Sequence, residues 1–198
     1  TISITSGEGT ASTSGSIVLR TVNAGTAGIS GELSFSSGTT SSGASGLVSI
    51  ATGAANGGRT GSIILSVGQS STTTGGDIGI SAGGSTPATG GAVSLSSGAG
   101  VATSSGSIRV RSVDAGTAGV SGSLEFSSGA ASSGTSGSIS LATGAATGGK
   151  GGDMTLSVGT GTAGTGGDFI TNAGSSSDEN SAGGDISLTA GYGSHDSN

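Results

Sequence analysis

Large apolar residues recur along this chain at a spacing close to fifteen residues, from one end to the other. Each repeat opens at a glycine: Gly15, Gly31, Gly46, Gly61, Gly76, Gly91, Gly106, Gly122, Gly137, Gly152, Gly167 and Gly184. These starts lie 16, 15, 15, 15, 15, 15, 16, 15, 15, 15 and 17 residues apart. A partial repeat, TISITSGEGTASTS, precedes them, which makes 13 with the two incomplete ends. Numbered from its glycine, position 3 carries Ile17, Leu33, Val48, Ile63, Ile78, Val93, Ile108, Leu124, Ile139, Met154, Phe169 and Ile186. Position 5 carries Leu19, Phe35, Ile50, Leu65, Ile80, Leu95, Val110, Phe126, Leu141, Leu156, Thr171 and Leu188. Position 7 is small or β-branched. Apolar residues at alternate positions are the signature of an extended, half-covered segment.

The charges divide along the same alternation. Glu32, Asp77, Asp153, Asp168 and Asp185 hold position 2, Arg109 and Glu125 position 4, and Arg20 and Arg111 position 6. None holds position 3, 5 or 7, so odd positions are expected to point inward and even ones outward. A glycine near position 8 and a run of small residues follow, as in GTTSSGAS (38–45) and GAASSGTS (129–136). Glycine permits the left-handed backbone that tight turns need. The fold this pattern predicts is all-β: a single parallel β-solenoid (β-helix) of about 13 coils, continuous over residues 1–198. Coils stacked about 4.8 Å apart would form a rod of roughly 60 Å, of either hand. Such a repeat array gains stability from each neighbour, so no coil is expected to fold alone.

A second period overlies the first. GSIVLRTVNAGTAGIS (15–30) and GSIRVRSVDAGTAGVS (106–121) are 16-residue repeats set 91 residues apart, a superperiod of six coils. In both, the glycine near position 8 gives way to Val22-Asn23 or Val113-Asp114. The superperiod also matches Arg20 with Arg111, Ile29 with Val120 and Arg59 with Lys150. These six residues are expected to form a regular ridge for lateral contact with a partner such as a neighbouring rod.

Composition narrows the functional classes. Glycine supplies 45 of 198 residues, charged residues 8% and aromatics 2%, a bias that by itself reads as low-complexity chain. A single proline, Pro87, and a net charge of only −6 oppose disorder. Five basic residues are too few to neutralise a nucleic-acid backbone, so no nucleic-acid partner is expected. No apolar run approaches the ~20 residues of a membrane-spanning helix. With no cysteine there is neither a disulfide framework nor a thiolate metal site. No initiating Met or signal peptide is present, and the first residues already lie within a repeat, as expected of a segment of a longer protein.

Candidate chemistry is sparse. The single histidine, His195, has no nucleophile and orienting group to form a catalytic set, so no enzyme activity and no cofactor are expected. Asp153, Asp168 and Asp185 fall at one position of three successive coils, each within GGD. Stacked carboxylates would either share a Ca²⁺ or splay into solvent, and solvation is the preferred reading. Asp178, Glu179 and Asn180 lie in the two-residue insertion after Gly167 and read as a solvated loop. Arg109 and Glu125 are expected to form an exposed cross-strand ion pair. GGRTG (57–61) lacks the Lys-Ser/Thr context of a phosphate loop.

The repeats GSISLATGAATGGKG (137–151) and GGDISLTAG (183–191) resemble the Gly/Ser/Thr-rich short-coil repeats of extracellular surface, fibre and adhesin-like proteins. The resemblance implies a parallel β-solenoid in a secreted or surface-exposed structural protein, and it brings no catalytic residues with it. Self-association and binding to polysaccharide or glycan are the partners it suggests. Glycosylation would be O-linked, since no Asn-x-Ser/Thr site is present. The alternative is an ice-binding (antifreeze) β-solenoid with a flat Thr/Ser face. Thr13, Thr74, Thr89, Thr135 and Thr165 share position 14, but Ala44, Arg59, Ser104 and Lys150 interrupt the row, and Ile29 and Val120 fall in it too.

Overall fold

The computed structural model describes residues 1–10, 13–86 and 88–193, which leaves Pro87 and His195 outside the described part. The chain divides into two halves, Thr1–Ser96 and Ser97–Asn198. Within each half the same element repeats: a coil segment over positions 1–7, free of helix, turn and bend, then a loop whose two ends meet.

The parallel β-solenoid expected from the pattern is not formed. Among the described residues there is no β-strand and no helix, and so neither a β-helix nor a stacked ladder. The alternation does not by itself make a strand: among the described residues the segments at positions 1–7 have no helix, strand, turn or bend. A period of two does not name the partner to which an extended segment bonds. Pairing with the next coil would require contacts about fifteen residues away, in register, for two large side chains per repeat. The chain instead closes on itself over eight to eleven residues.

That closure is a neck made by two residues. A β-carbon placed on the opening glycine of a repeat would touch the position-7 side chain of the repeat before it. The separation is 3.3 Å from Gly15 to Ser6 Cβ, 3.4 Å from Gly46 to Ser37 Cβ and 3.5 Å from Gly137 to Ser128 Cβ. In four repeats a hydrogen bond completes the neck. The amides of Gly15, Gly91, Gly106 and Gly184 donate to the carbonyls of Gly7, Gly83, Gly98 and Gly174, at 3.2, 2.9, 2.9 and 2.8 Å. The glycine near position 8, expected to turn the chain, thus serves as the carbonyl side of the neck. The chain turns farther on, in a bend at positions 11–13 of a typical repeat, for example 41–43, 56–58 and 132–134. Gly43 (φ 113°) and Gly134 (φ 100°) close two of these bends in the left-handed region, where a side chain would be strained.

The irregular repeats keep the same neck. Gly31 meets Thr21 Cγ2 at 3.4 Å and Gly122 meets Ser112 Cβ at 3.6 Å, so the sixteenth residue lengthens the loop and not the segment at positions 1–7. The 17-residue repeat after Gly167 does likewise, with Gly184 bonded to Gly174. Loop closure is insensitive to such changes: lengthening a loop from eight to ten residues costs about 0.2 kcal/mol.

No residue among those described is buried, and only Thr21 and Ser70 are less than about a third exposed. The expected inward and outward alternation is not kept: at position 5, Ile50 and Leu188 are 77% and 88% exposed, as open as outward positions, and position 3 is somewhat more covered. Ile17 and Ile108 at position 3 are 49% and 50% exposed, whereas Leu47 at position 2 and Ile64 at position 4 are 88% and 82% exposed. The total exposed surface is 19256 Å², against about 8,000 Å² for an ordinary folded monomer of this mass.

The neck explains which glycines are obligatory. At Gly167 an added β-carbon would lie 2.9 Å from Val158 Cγ1, because position 7 there is valine and not serine. Gly167→Ala is therefore expected to open its loop at a cost on the order of 1 kcal/mol. Gly137→Ala, facing Ser128, is expected to be nearly neutral. Amide hydrogen exchange over 158–167 measures this, and Val158→Ser should restore protection to the Gly167→Ala protein. Equal protection in both glycine variants would contradict the neck.

Candidate functional site

The loops carry most of the polar detail. Hydroxyl side chains at position 10 hold the bends. Thr40 Oγ1 accepts from the Ser42 amide at 3.3 Å and donates to the Ser42 carbonyl at 3.1 Å. Ser70 Oγ accepts from the Thr73 amide at 3.0 Å and lies 3.0 Å from Thr73 Oγ1. Ser176 Oγ accepts from the Asp178 amide at 3.2 Å. Such local side-chain bonds substitute for a backbone ladder in stabilising a turn.

Asp178 organises the longest loop. Its carboxylate accepts from the Asn180 amide at 3.1 Å and from the Ser181 hydroxyl at 2.8 Å, and its carbonyl accepts from the Ser181 amide at 3.1 Å. The Asn180 amide, with the Ser181 hydroxyl second, holds the carboxyl below its ordinary value of 3.8, since both bonds favour the charged form. Asp178, Glu179 and Asn180 thus form a solvent-exposed turn.

The three repeated aspartates do not assemble. No group of three or more potential metal ligands occurs among the described residues, so Asp153, Asp168 and Asp185 share no cation site there. Asp153 engages its own loop: Lys150 Nζ lies 2.8 Å from Oδ1 and 2.9 Å from Oδ2. This is the single ion pair among the described residues, and it is exposed and open to screening by salt. The expected pair between Arg109 and Glu125 is not formed, because without a ladder position 4 of one repeat has no register with position 4 of the next.

The six residues expected to form a lateral ridge are all exposed: Arg20, Ile29, Arg59, Arg111, Val120 and Lys150. Ile29 and Val120 are 99% and 96% exposed. Each follows the bend of a 16-residue repeat. The position-14 threonines lie between the bend and the neck, where no sheet is present to lay them out as a flat face. The ice-binding solenoid therefore lacks its expected scaffold.

Sequence reasoning missed one feature. In the second half, Phe126 from one repeat and Ile139, Ser140 and Leu141 from the next line an apolar recess of about 290 Å³. These are positions 5, 3, 4 and 5, so the apolar positions of adjacent repeats do converge, locally and without pairing. The signal was available in the sequence: Phe recurs at position 5 only at Phe35 and Phe126, one superperiod apart. No helix of the described residues is long and apolar enough to cross a membrane. No protein-family model matches the chain, and neither a curated protein nor a solved structure does.

The pH dependence of the Asp178 turn follows from its direction of shift. A lowered folded value stabilises the turn fully above the ordinary carboxylate value of 3.8, and that contribution disappears as pH falls through the lower folded one. The Asn180 amide resonance is expected to titrate with a midpoint below 3.8, and a midpoint above that value would contradict the turn. Lys150→Ala, which removes an exposed pair, is expected to leave thermal unfolding unchanged.

Proposed function

We propose that this chain is a structural protein of the extracellular or cell-surface environment, a fibre or adhesive scaffold. It associates with neighbouring copies and presents hydroxyl-rich loops to polysaccharide or glycan. The observation that carries this reading is the neck, which recurs beneath loops of eight, nine and ten residues. A constant joint under a variable loop displays many similar polar surfaces in series. The loop from Gln69 to Thr74 shows the type, with five hydroxyl side chains in six residues.

Such loops have no enclosed pocket in which to bind one sugar tightly. Their strength would be multivalent. Linked weak sites raise the apparent affinity by on the order of a hundredfold or more without any new contact. Resemblance of the repeats to those of surface and fibre proteins supports the same reading, and within it the chain carries out no reaction.

Retention of the purified chain on insoluble polysaccharide, together with electron microscopy, tests the proposal. Retention or regular filaments is expected. A chain that neither adsorbs nor forms filaments sinks it. Shaping of ice crystals with thermal hysteresis in place of both would identify an ice-binding protein.

A further inference from the structure

We propose that Asn56 is a site of spontaneous covalent modification. The amide nitrogen of Gly57 displaces ammonia from the Asn56 side chain, and the loop between Gly53 and Gly61 acquires an aspartate or an isoaspartate.

The reaction uses only the chain and water. The Gly57 nitrogen gives up its proton and attacks Asn56 Cγ. A new N–Cγ bond closes a succinimide ring as the Cγ–Nδ2 bond breaks, and Nδ2 leaves as ammonia with that proton. Water then opens the ring. Addition at Cγ gives aspartate. Addition at the main-chain carbonyl carbon gives isoaspartate, in which the chain runs on through the former side chain. Nothing is oxidised or reduced.

The sequence favours this position over the others. Asn23 and Asn172 precede alanine and Asn180 precedes serine, whereas Asn56 precedes glycine. Attack requires the backbone to swing the following nitrogen onto Cγ, and glycine gives it the widest rotation and the least obstruction. Asparagine is thermally labile by such chemistry.

The structure leaves the reacting groups free. Asn56 and Gly57 lie in the bend at 56–58, and both are exposed. A β-carbon on Gly57 or Gly58 would meet nothing within 4 Å, so the bend has room to rearrange. Among the described residues neither the Gly57 amide nor the Asn56 side chain makes a hydrogen bond. Asn180 is the counter-example. It too is exposed, but the Ser181 amide, the nitrogen that would attack, donates to the Asp178 carbonyl at 3.1 Å. The Asn180 amide donates to the Asp178 carboxylate, also at 3.1 Å. Both bonds hold that turn against the rotation the attack needs.

Conversion adds a negative charge to a loop whose sole charged side chain is Arg59. Arg59 has no ion pair among the described residues, and the new carboxylate arises three residues before it, the separation that joins Lys150 to Asp153. The neck, where Gly61 faces Thr52 Cγ2 at 3.5 Å, lies outside the bond that is remade. The charge and backbone of a displayed loop therefore change while its joint is kept.

Incubation of the full-length chain in mildly alkaline buffer, followed by peptide mapping in a mass spectrometer, tests the assignment. The peptide containing Asn56 is expected to gain the mass of an amide-to-acid exchange and to become a substrate for isoaspartyl methyl transfer, while Asn23, Asn172 and Asn180 stay intact. Gly57→Ala, which has space for its methyl group, is expected to slow the conversion about tenfold by shielding the attacking nitrogen. Asp178→Ala, which removes the carboxylate held by Asn180 and Ser181, is expected to bring Asn180 into reaction. An Asn56 that stays intact, conversion of Asn23 or Asn180 as fast as Asn56, or a Gly57→Ala chain that converts at the unsubstituted rate overturns the proposal. An Asn180 that stays intact in the Asp178→Ala chain overturns the protection assigned to its turn.

Discussion

The contact between an opening glycine and the position-7 side chain before it is the constraint on which the rest of the structure depends. It is short-range, made by small groups, and open to water. A hydrogen bond in such a place contributes about 0.5–1.5 kcal/mol at most. It nevertheless recurs in every repeat, and it excludes a side chain at Gly167, where Val158 stands opposite, and leaves little room for one at Gly76, opposite Val67. The period of the chain is then the length of one segment at positions 1–7 plus one closed loop.

This constraint sets both what the chain displays and what it leaves uncovered. Loops closed at the neck present their bends and hydroxyls outward, with Thr40, Ser70 and Asp178 holding the tips by local bonds. Among the described residues the segments at positions 1–7 form no strand, so their apolar positions stay about half exposed or more, from 47% at Val158 upward. Display and incompleteness come from one cause. An adhesive or assembling protein needs both: polar tips for a surface and apolar positions for a neighbour.

The repeat length and the six-repeat superperiod were legible in the sequence, because each depends on spacing alone. The architecture was not. Ile17, Leu19 and Thr21 alternate as they would in a ladder, yet alternation is a property of one segment and a ladder is a property of two. Gly38 and Gly53 read as turns because glycine is common there, but the chain bends several residues later, at 41–43 and 56–58. The neck could have been found from the pairing of a recurring glycine with a small or β-branched residue nine to eleven positions earlier. The recess could have been found from Phe35 and Phe126, whose interval matches that of the two 16-residue repeats. The Ca²⁺ alternative for the three successive aspartates, second to solvation in the sequence, finds no cluster among the described residues: shared position number brings side chains together only if repeats stack in register.

Because each neck lies within the span of two adjoining repeats, whole repeats are interchangeable modules. Removing or copying a block that begins and ends at an opening glycine leaves every joint with its proper partner. A cut elsewhere strands a glycine or a position-7 side chain. Heredity can therefore lengthen such a chain by recombination at glycine codons with little structural penalty. A duplicated block of 91 residues, irregular repeat included, is the kind of record that process leaves.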